Sequence, residues 1–104
     1  MKFVHYTFKD STPRVPHFEI NAFDGEDWVG HYQRRGEWIE NVFVCEKMRC
    51  KGMCKKLMKH AIKQKKRLRL LVRNENEGAI RCYLSVGFKP RTVIEDMTEM
   101  TYGM

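Results

Sequence analysis

Two stretches hold residues whose types and spacing suit chemistry. The first is "VCEKMRCKGMCKKL", residues 44–57, where Arg49, Gly52 and Cys54 stand as R-x-x-G-x-C ahead of a helical pattern. A helix start leaves about four N–H groups without partners and carries about half a positive charge. Gly52 has no Cβ, so a ligand can approach the backbone closely there. Together these features form a phosphate cradle made of backbone amides. The second stretch is "NEGAIRCYLSVGF", residues 76–88. Its Tyr83 is a phenol with an ordinary pKa near 10, protonated at neutral pH and able to donate a proton.

Other chemistries compete for the same residues. Cys45, Cys50, Cys54 and Cys82 are spaced C-x4-C and C-x3-C, with Cys82 far off. Structural zinc asks for two close pairs such as C-x-x-C. No second pair is present, even with His60 counted, so reduced thiols and no metal are expected. The net charge of +7 is placed unevenly: residues 45–91 carry +12, residues 1–44 carry −2 and residues 92–104 carry −3. An anionic partner is therefore expected on the middle of the chain. A nucleic acid is one such partner, but the basic run from Lys55 to Arg69 has no aromatic residue for base stacking. At the ends, Asp24, Glu26, Asp27 and Glu37 are expected to form an acidic cluster that attracts cations, or else an ordinary solvated turn.

The elements that must position these residues follow from periodicity. The chain has 104 residues, 42% hydrophobic and 32% charged, which fits one globular domain spanning residues 1–104. No apolar run is long enough for a membrane span. His5 and Lys9 interrupt the N-terminal stretch before it could form a signal-peptide core. A cytoplasmic protein is the expectation. "KFVHYTF" (2–8) reads as a strand. "DSTPRVP" is a loop, because Pro13 and Pro16 block regular structure. "HFEINAF", "DWVGHYQ" and "WIENVFV" alternate and are joined by "DGED" and "RRGE", so residues 17–44 read as an antiparallel meander. Met53, Leu57, Met58, Ala61 and Ile62 recur at helical spacing, which predicts a helix over about 52–65. "RLRLLV" is a short strand. Asn74 or Asn76 can cap a helix over about 76–86, with Ile80, Tyr83 and Leu84 on its buried face and Gly87 at its end. Two closing strands complete the order ββββ-α-β-α-ββ. This is an α/β domain around a mixed, mostly antiparallel sheet.

The two stretches together resemble the GNAT superfamily of acetyl-CoA-dependent N-acetyltransferases. The family pattern is a strand ending in a hydrophobic-Val step, then R/Q-x-x-G-x-G/A opening a helix. A later strand precedes N-x-x-A, a helical Tyr and a closing G-F. Here these are Phe43-Val44, Arg49-x-x-Gly52-x-Cys54, Asn76-x-x-Ala79, Tyr83 and Gly87-Phe88. The resemblance covers residues 38–88 closely and residues 17–37 by topology. It implies that Phe43 and Val44 pair through their backbones with the pantetheine arm, and that the same edge polarises the acetyl carbonyl. It implies that amides of Arg49, Cys50, Lys51, Gly52, Met53 and Cys54 bind the pyrophosphate, and that Asn76 contacts the arm. Lys51, Lys55 and Arg81 are the candidates for reaching phosphates.

The implied reaction is direct acetyl transfer from acetyl-CoA to a primary amine, either a peptide or protein lysine or N-terminus, or a small polyamine. Tyr83 would donate to the departing thiolate. Glu40, on the strand before the family's bulge, would take the amine's proton directly or through water. A catalytically silent CoA-binding member of the family is the alternative. Two departures stand out. Cys54 occupies a position usually held by Gly or Ala, which keeps the amide and adds a thiol. The nine or so residues 9–17 are too few for the two helices the family usually carries there. The acceptor side is therefore expected to be open, or completed by a second subunit of a homodimer.

Overall fold

A computed structural model describes residues 1–49 and 51–104. The elements are β1 (Lys2–Thr7), β2 (His17–Asp24), β3 (Asp27–Arg35), β4 (Trp38–Val44), α1 (Met53–Gln64), β5 (Leu68–Arg73), α2 (Glu77–Ser85), β6 (Lys89–Ile94) and β7 (Met97–Tyr102). A short 3₁₀ turn, Glu46–Met48, lies between β4 and α1. The strands form one seven-stranded sheet in the order β1-β2-β3-β4-β5-β7-β6. Every neighbouring pair is antiparallel except β4 and β5. The expected mixed, mostly antiparallel α/β sheet with two helices is thus observed. Residues 8–16 form a loop without helix, tied down by Phe8 N–H to His17 O (3.0 Å) and His17 Nδ1 to Asp10 (2.6 Å).

Strand alternation sorts the sheet into two faces. Phe18, Ile20 and Ala22 of β2, Tyr32 of β3, Ile39 of β4, Leu68, Leu70 and Val72 of β5 and Met100 of β7 turn to one side. There they form a single core with Met53, Leu57, Met58 and Ala61 of α1 and Cys82 and Tyr83 of α2. A twelve-residue helix is marginal alone in water. Burial of its large apolar side chains, roughly 2 kcal/mol each, is what holds α1 in place. On α2 the buried face differs from expectation. Leu84 is exposed at 47% and Cys82 is buried instead. Cys82 faces α1, where its thiol shares a hydrogen bond with that of Cys54. The opposite face of the sheet carries Glu19, Asn21, His31, Gln33 and Glu40 and has no helical cover among the described residues. No helix among the described residues is long and apolar enough to cross a membrane.

One core contact makes stability depend on pH. The Tyr32 hydroxyl and His60 Nδ1 lie 2.8 Å apart, and Phe3 stacks on His60 with ring centroids 4.3 Å apart. Burial pushes the Tyr32 phenol up, so it donates and His60 accepts as neutral imidazole. Burial first, then Lys63 and His5, holds the His60 pKa below its ordinary value of about 6.5. The unfolded chain therefore binds more protons than the folded one as pH falls through that value, and stability falls with it. A melting series from pH 7.5 to 5 is expected to show a declining Tm, with a shallower decline in His60→Gln. Parallel curves for the two proteins would show that His60 is not the group responsible.

Candidate functional site

The central feature is the way β4 leaves the sheet. Only Trp38 and Arg69 stand as parallel partners between β4 and β5. Beyond them the two strands part, so residues 39–44 keep β3 on one side and lack a strand on the other. Within this edge β4 bulges. His31 faces Phe43 and Gln33 faces Glu40, so β4 spends one residue more than β3 between those pairs. Asn41 takes φ = 52°, which a short polar side chain tolerates better than most. A bulge bends its strand and re-aims its groups.

Gly30 lets β3 and β4 approach closely beside the bulge. A Cβ there would lie 2.6 Å from the Phe43 carbonyl oxygen. Cys45 N–H donates to Val29 O at 3.0 Å. By strand alternation the backbone of Phe43 also faces β3, while that of Val44 faces the open side. The Val44 carbonyl accepts from Arg49 Nε at 3.0 Å, and the Arg49 guanidinium lies 5.6 Å from the centre of the Phe43 ring.

The chain then turns through residues 46–48 and enters α1. Gly52 is the N-cap, at φ = 78°, with open space where a Cβ would stand and no side-chain cap. The first intrahelical bond runs from Lys56 N–H to Gly52 O at 3.2 Å. The amides of Met53, Cys54 and Lys55 are thus orphans of the first turn, facing outward with the helix dipole behind them. Their side chains diverge. Met53 is buried at 1%, Cys54 is half-buried, and Lys51 and Lys55 are exposed. Met53 can therefore serve a ligand through its amide alone. Cys50 lies outside the described residues.

Tyr83 stands beside this corner at 6% exposure. Burial first, then the Cys54 and Cys82 thiols, pushes its phenol up, so it is a protonated donor at neutral pH. The bond between the two thiols holds Cys54 below and Cys82 above the usual thiol range. Asn76 is the N-cap of α2, and its side chain accepts from Ala79 N–H at 3.2 Å. Its side-chain NH2 remains to donate. Arg81 is exposed on α2.

Glu40 sits apart from these groups. Its side chain lies on the uncovered face, 42% exposed, with Arg35 Nε at 4.0 Å. Of the four acidic residues, three share an exposed turn, as the solvated-turn reading has it, and the fourth stands apart. Asp24, Glu26 and Asp27 lie at one end of β3 and Glu37 lies past the other, separated by a nine-residue strand of roughly 30 Å. Asp27 pairs with Lys47 at 3.3 Å, and Glu37 lies between Arg67 and Arg69 at 3.9 and 3.7 Å. Cys45, Cys54 and Cys82 are free thiols, and no group of three metal-ligating side chains occurs among the described residues.

Sequence reasoning missed a set of residues on the uncovered face. A depression of about 450 Å³ is lined by His31, Gln33, Asn41, Val42 and Phe43, directly over the β4 bulge. The polar alternation of "HFEINAF" and "DWVGHYQ" holds the signal for Glu19, Asn21, His31 and Gln33.

The model of the acetyltransferase (GNAT) family matches residues 4–88. A comparison with curated protein sequences finds no match. Among solved structures, a variant of spermidine N-acetyltransferase SpeG from Vibrio cholerae is similar with TM-score 0.73 at 15% identity, over 83% of this chain and 64% of that one. IAA acetyltransferase from Bacillus cereus is similar with TM-score 0.69 at 18% identity, over 97% of this chain and 99% of that one. A GNAT family acetyltransferase from Elizabethkingia anophelis with acetyl-CoA bound gives TM-score 0.71 at 15% identity, over 98% of both chains. This chain thus spans about two thirds of SpeG but nearly the full length of the other two. These likenesses establish the fold, and the family match adds the kind of enzyme. The chain belongs to the GNAT family of acetyltransferases.

Proposed function

We propose that the protein transfers the acetyl group of acetyl-CoA to a primary amine by direct attack. One observation carries this reading: β4 has no strand beside it past Trp38, and the chain that leaves this open edge turns through residues 46–48 and enters α1 at an uncapped N-terminus. An extended amide chain ending in a pyrophosphate fits that edge and that terminus in order. Val44 would pair with the arm once Arg49 releases its carbonyl, with Phe43 beside it. The amides from Lys51 to Lys55 would hold the pyrophosphate, whereas the Arg49 N–H expected to join them donates to Glu46 O at 3.2 Å. Lys51 and Lys55 would add charge, and the Asn76 side-chain NH2 would donate to the arm.

In this reading the amine attacks the thioester carbonyl, the C–N bond forms and the C–S bond breaks. Tyr83 donates its proton to the departing thiolate. Glu40 and His31 are the groups on the uncovered face able to take the proton of the incoming ammonium. The acceptor approaches over a face with no helix across it, which suits a lysine or N-terminus of a peptide or protein. Spermidine, named for one similar structure, is the small-amine alternative. The test is a panel of lysine peptides, free N-terminal peptides and polyamines with acetyl-CoA, read by free thiol and by the mass of the acetylated amine. Thiol release coupled to an acetylated product is expected. Acetyl-CoA binding without turnover on any amine would point instead to a catalytically silent member of the family.

A further inference from the structure

The uncovered face holds a connected polar network at the bulge. Trp28 Nε1 donates to Asn21 Oδ1 at 2.8 Å, and Asn21 Nδ2 donates to Glu19 Oε2 at 3.0 Å. Gln33 Nε2 donates to Glu19 Oε1 at 3.1 Å, and Asn41 Nδ2 donates to Gln33 Oε1 at 2.7 Å. Glu19 is thus clamped by donors on both oxygens. His31 Nδ1 lies 3.5 Å from Glu19 Oε1. The imidazole is hemmed by Trp28 and Phe43, with ring centroids 5.6 and 6.1 Å away. It lines the depression over the β4 bulge at only 23% exposure.

Burial works against an ionised Glu19, but the bonds from Asn21 and Gln33 and the neighbouring His31 imidazole outweigh it and hold the carboxyl below the usual range. An ionised, immobile carboxylate beside Nδ1 selects the tautomer with the proton on Nδ1. Nε2 is then the basic nitrogen left for a substrate. We infer that His31, oriented by Glu19, is the general base that deprotonates the acceptor amine, and that the depression over Asn41–Phe43 is where that amine sits.

The inference rests on the acetyl-transfer reading above and sharpens it. The ammonium gives one proton to His31 Nε2 and becomes the neutral nucleophile. The second N–H proton leaves to solvent as the amide forms and balances the proton that restores Tyr83. Tyr83 supplies the proton that the CoA sulfur gains, and is reprotonated. The net reaction leaves amide, CoA thiol and one proton released from His31 to solvent. Glu40 is the rival base, but it does not line the depression and reaches only toward Arg35. Glu19 touches no reacting atom and is a positioning residue.

The test compares wild type, His31→Ala, Glu19→Gln, the double variant of those two, and Glu40→Gln, with acetyl-CoA and a lysine peptide or spermidine, read by thiol release. His31→Ala is expected to lose at least about tenfold in kcat, with the KM for acetyl-CoA within about twofold of wild type. Added imidazole should restore part of the rate. Glu19→Gln should lose less, and the double variant should lose no more than His31→Ala, because Glu19 acts through the imidazole. Glu40→Gln should lose less in kcat than His31→Ala, and a larger loss in Glu40→Gln would overturn the assignment. Full kcat in His31→Ala, or a loss that imidazole does not restore, would overturn this assignment while leaving acetyl transfer intact. Absence of thiol release from wild type with every amine would overturn both.

Discussion

Tyr83→Phe lowers kcat about a hundredfold at saturating acetyl-CoA while the fold and the KM for acetyl-CoA stay close to wild type. A positioned acid contributes typically 10²–10⁴-fold, and a hundredfold loss is about 2.7 kcal/mol of barrier. The structure gives the reason for the split between rate and binding. The Tyr83 ring packs in the core next to Phe88, with centroids 6.0 Å apart, and Phe88 N–H bonds to the Tyr83 carbonyl at 3.0 Å. Phenylalanine keeps both contacts. The hydroxyl alone is lost, near the Cys54 and Cys82 thiols. Steady-state kinetics and a melting curve on the same preparation separate the outcomes. An unchanged kcat would remove Tyr83 from the chemistry. A collapsed melting transition would make the hydroxyl a structural group instead.

Gly30→Ala is the second large effect, and it acts through the backbone. The new methyl would meet the Phe43 carbonyl oxygen at 2.6 Å, and Leu57 Cδ1 and Val44 Cα at 3.4 Å. The closest atom is main chain on the neighbouring strand, so no side-chain rotation relieves the contact. β4 must move away from β3 at the residues that form the open edge. Overpacking of this kind costs about 2 kcal/mol. In a domain of about 100 residues that corresponds to a Tm lower by about 10 °C. The KM for acetyl-CoA should rise as well, because the displaced segment is the one that pairs with the pantetheine arm. A melting scan and a KM measurement check both. A variant as stable as wild type would mean that β3 and β4 are not packed as described.

Most of the elements were legible because their periods are strong. β4 falls at residues 38–44 as its alternation predicts, and α1 and α2 lie within one or two residues of the helical patterns. Asn76, not Asn74, proves to be the cap of α2. The site was less legible, because its parts are tertiary. The bulge at Asn41 sits inside a run that alternates acceptably without it, and no glycine marks the positive φ. The pairing of β5 with β7, leaving β6 outside, depends on which short strand buries Met100 against Leu70, not on local pattern. His31 and Glu19 lie twelve residues apart in sequence and meet only through the β2–β3 register. The acidic residues divide for the same reason: β3 separates Glu37 from the turn that holds Asp24, Glu26 and Asp27.

The central claim is that the open edge of β4 and the N-terminus of α1 receive the CoA arm and its pyrophosphate. An amide-resolved NMR titration of the protein with CoA tests it most directly. Saturable shifts are expected, largest at the N–H groups of Val44, Met53, Cys54 and Lys55, together with the Asn76 side-chain amide. Shifts confined to the lysine-rich surface around Lys56, Lys59 and Lys63, or no saturable shift at all, would contradict it.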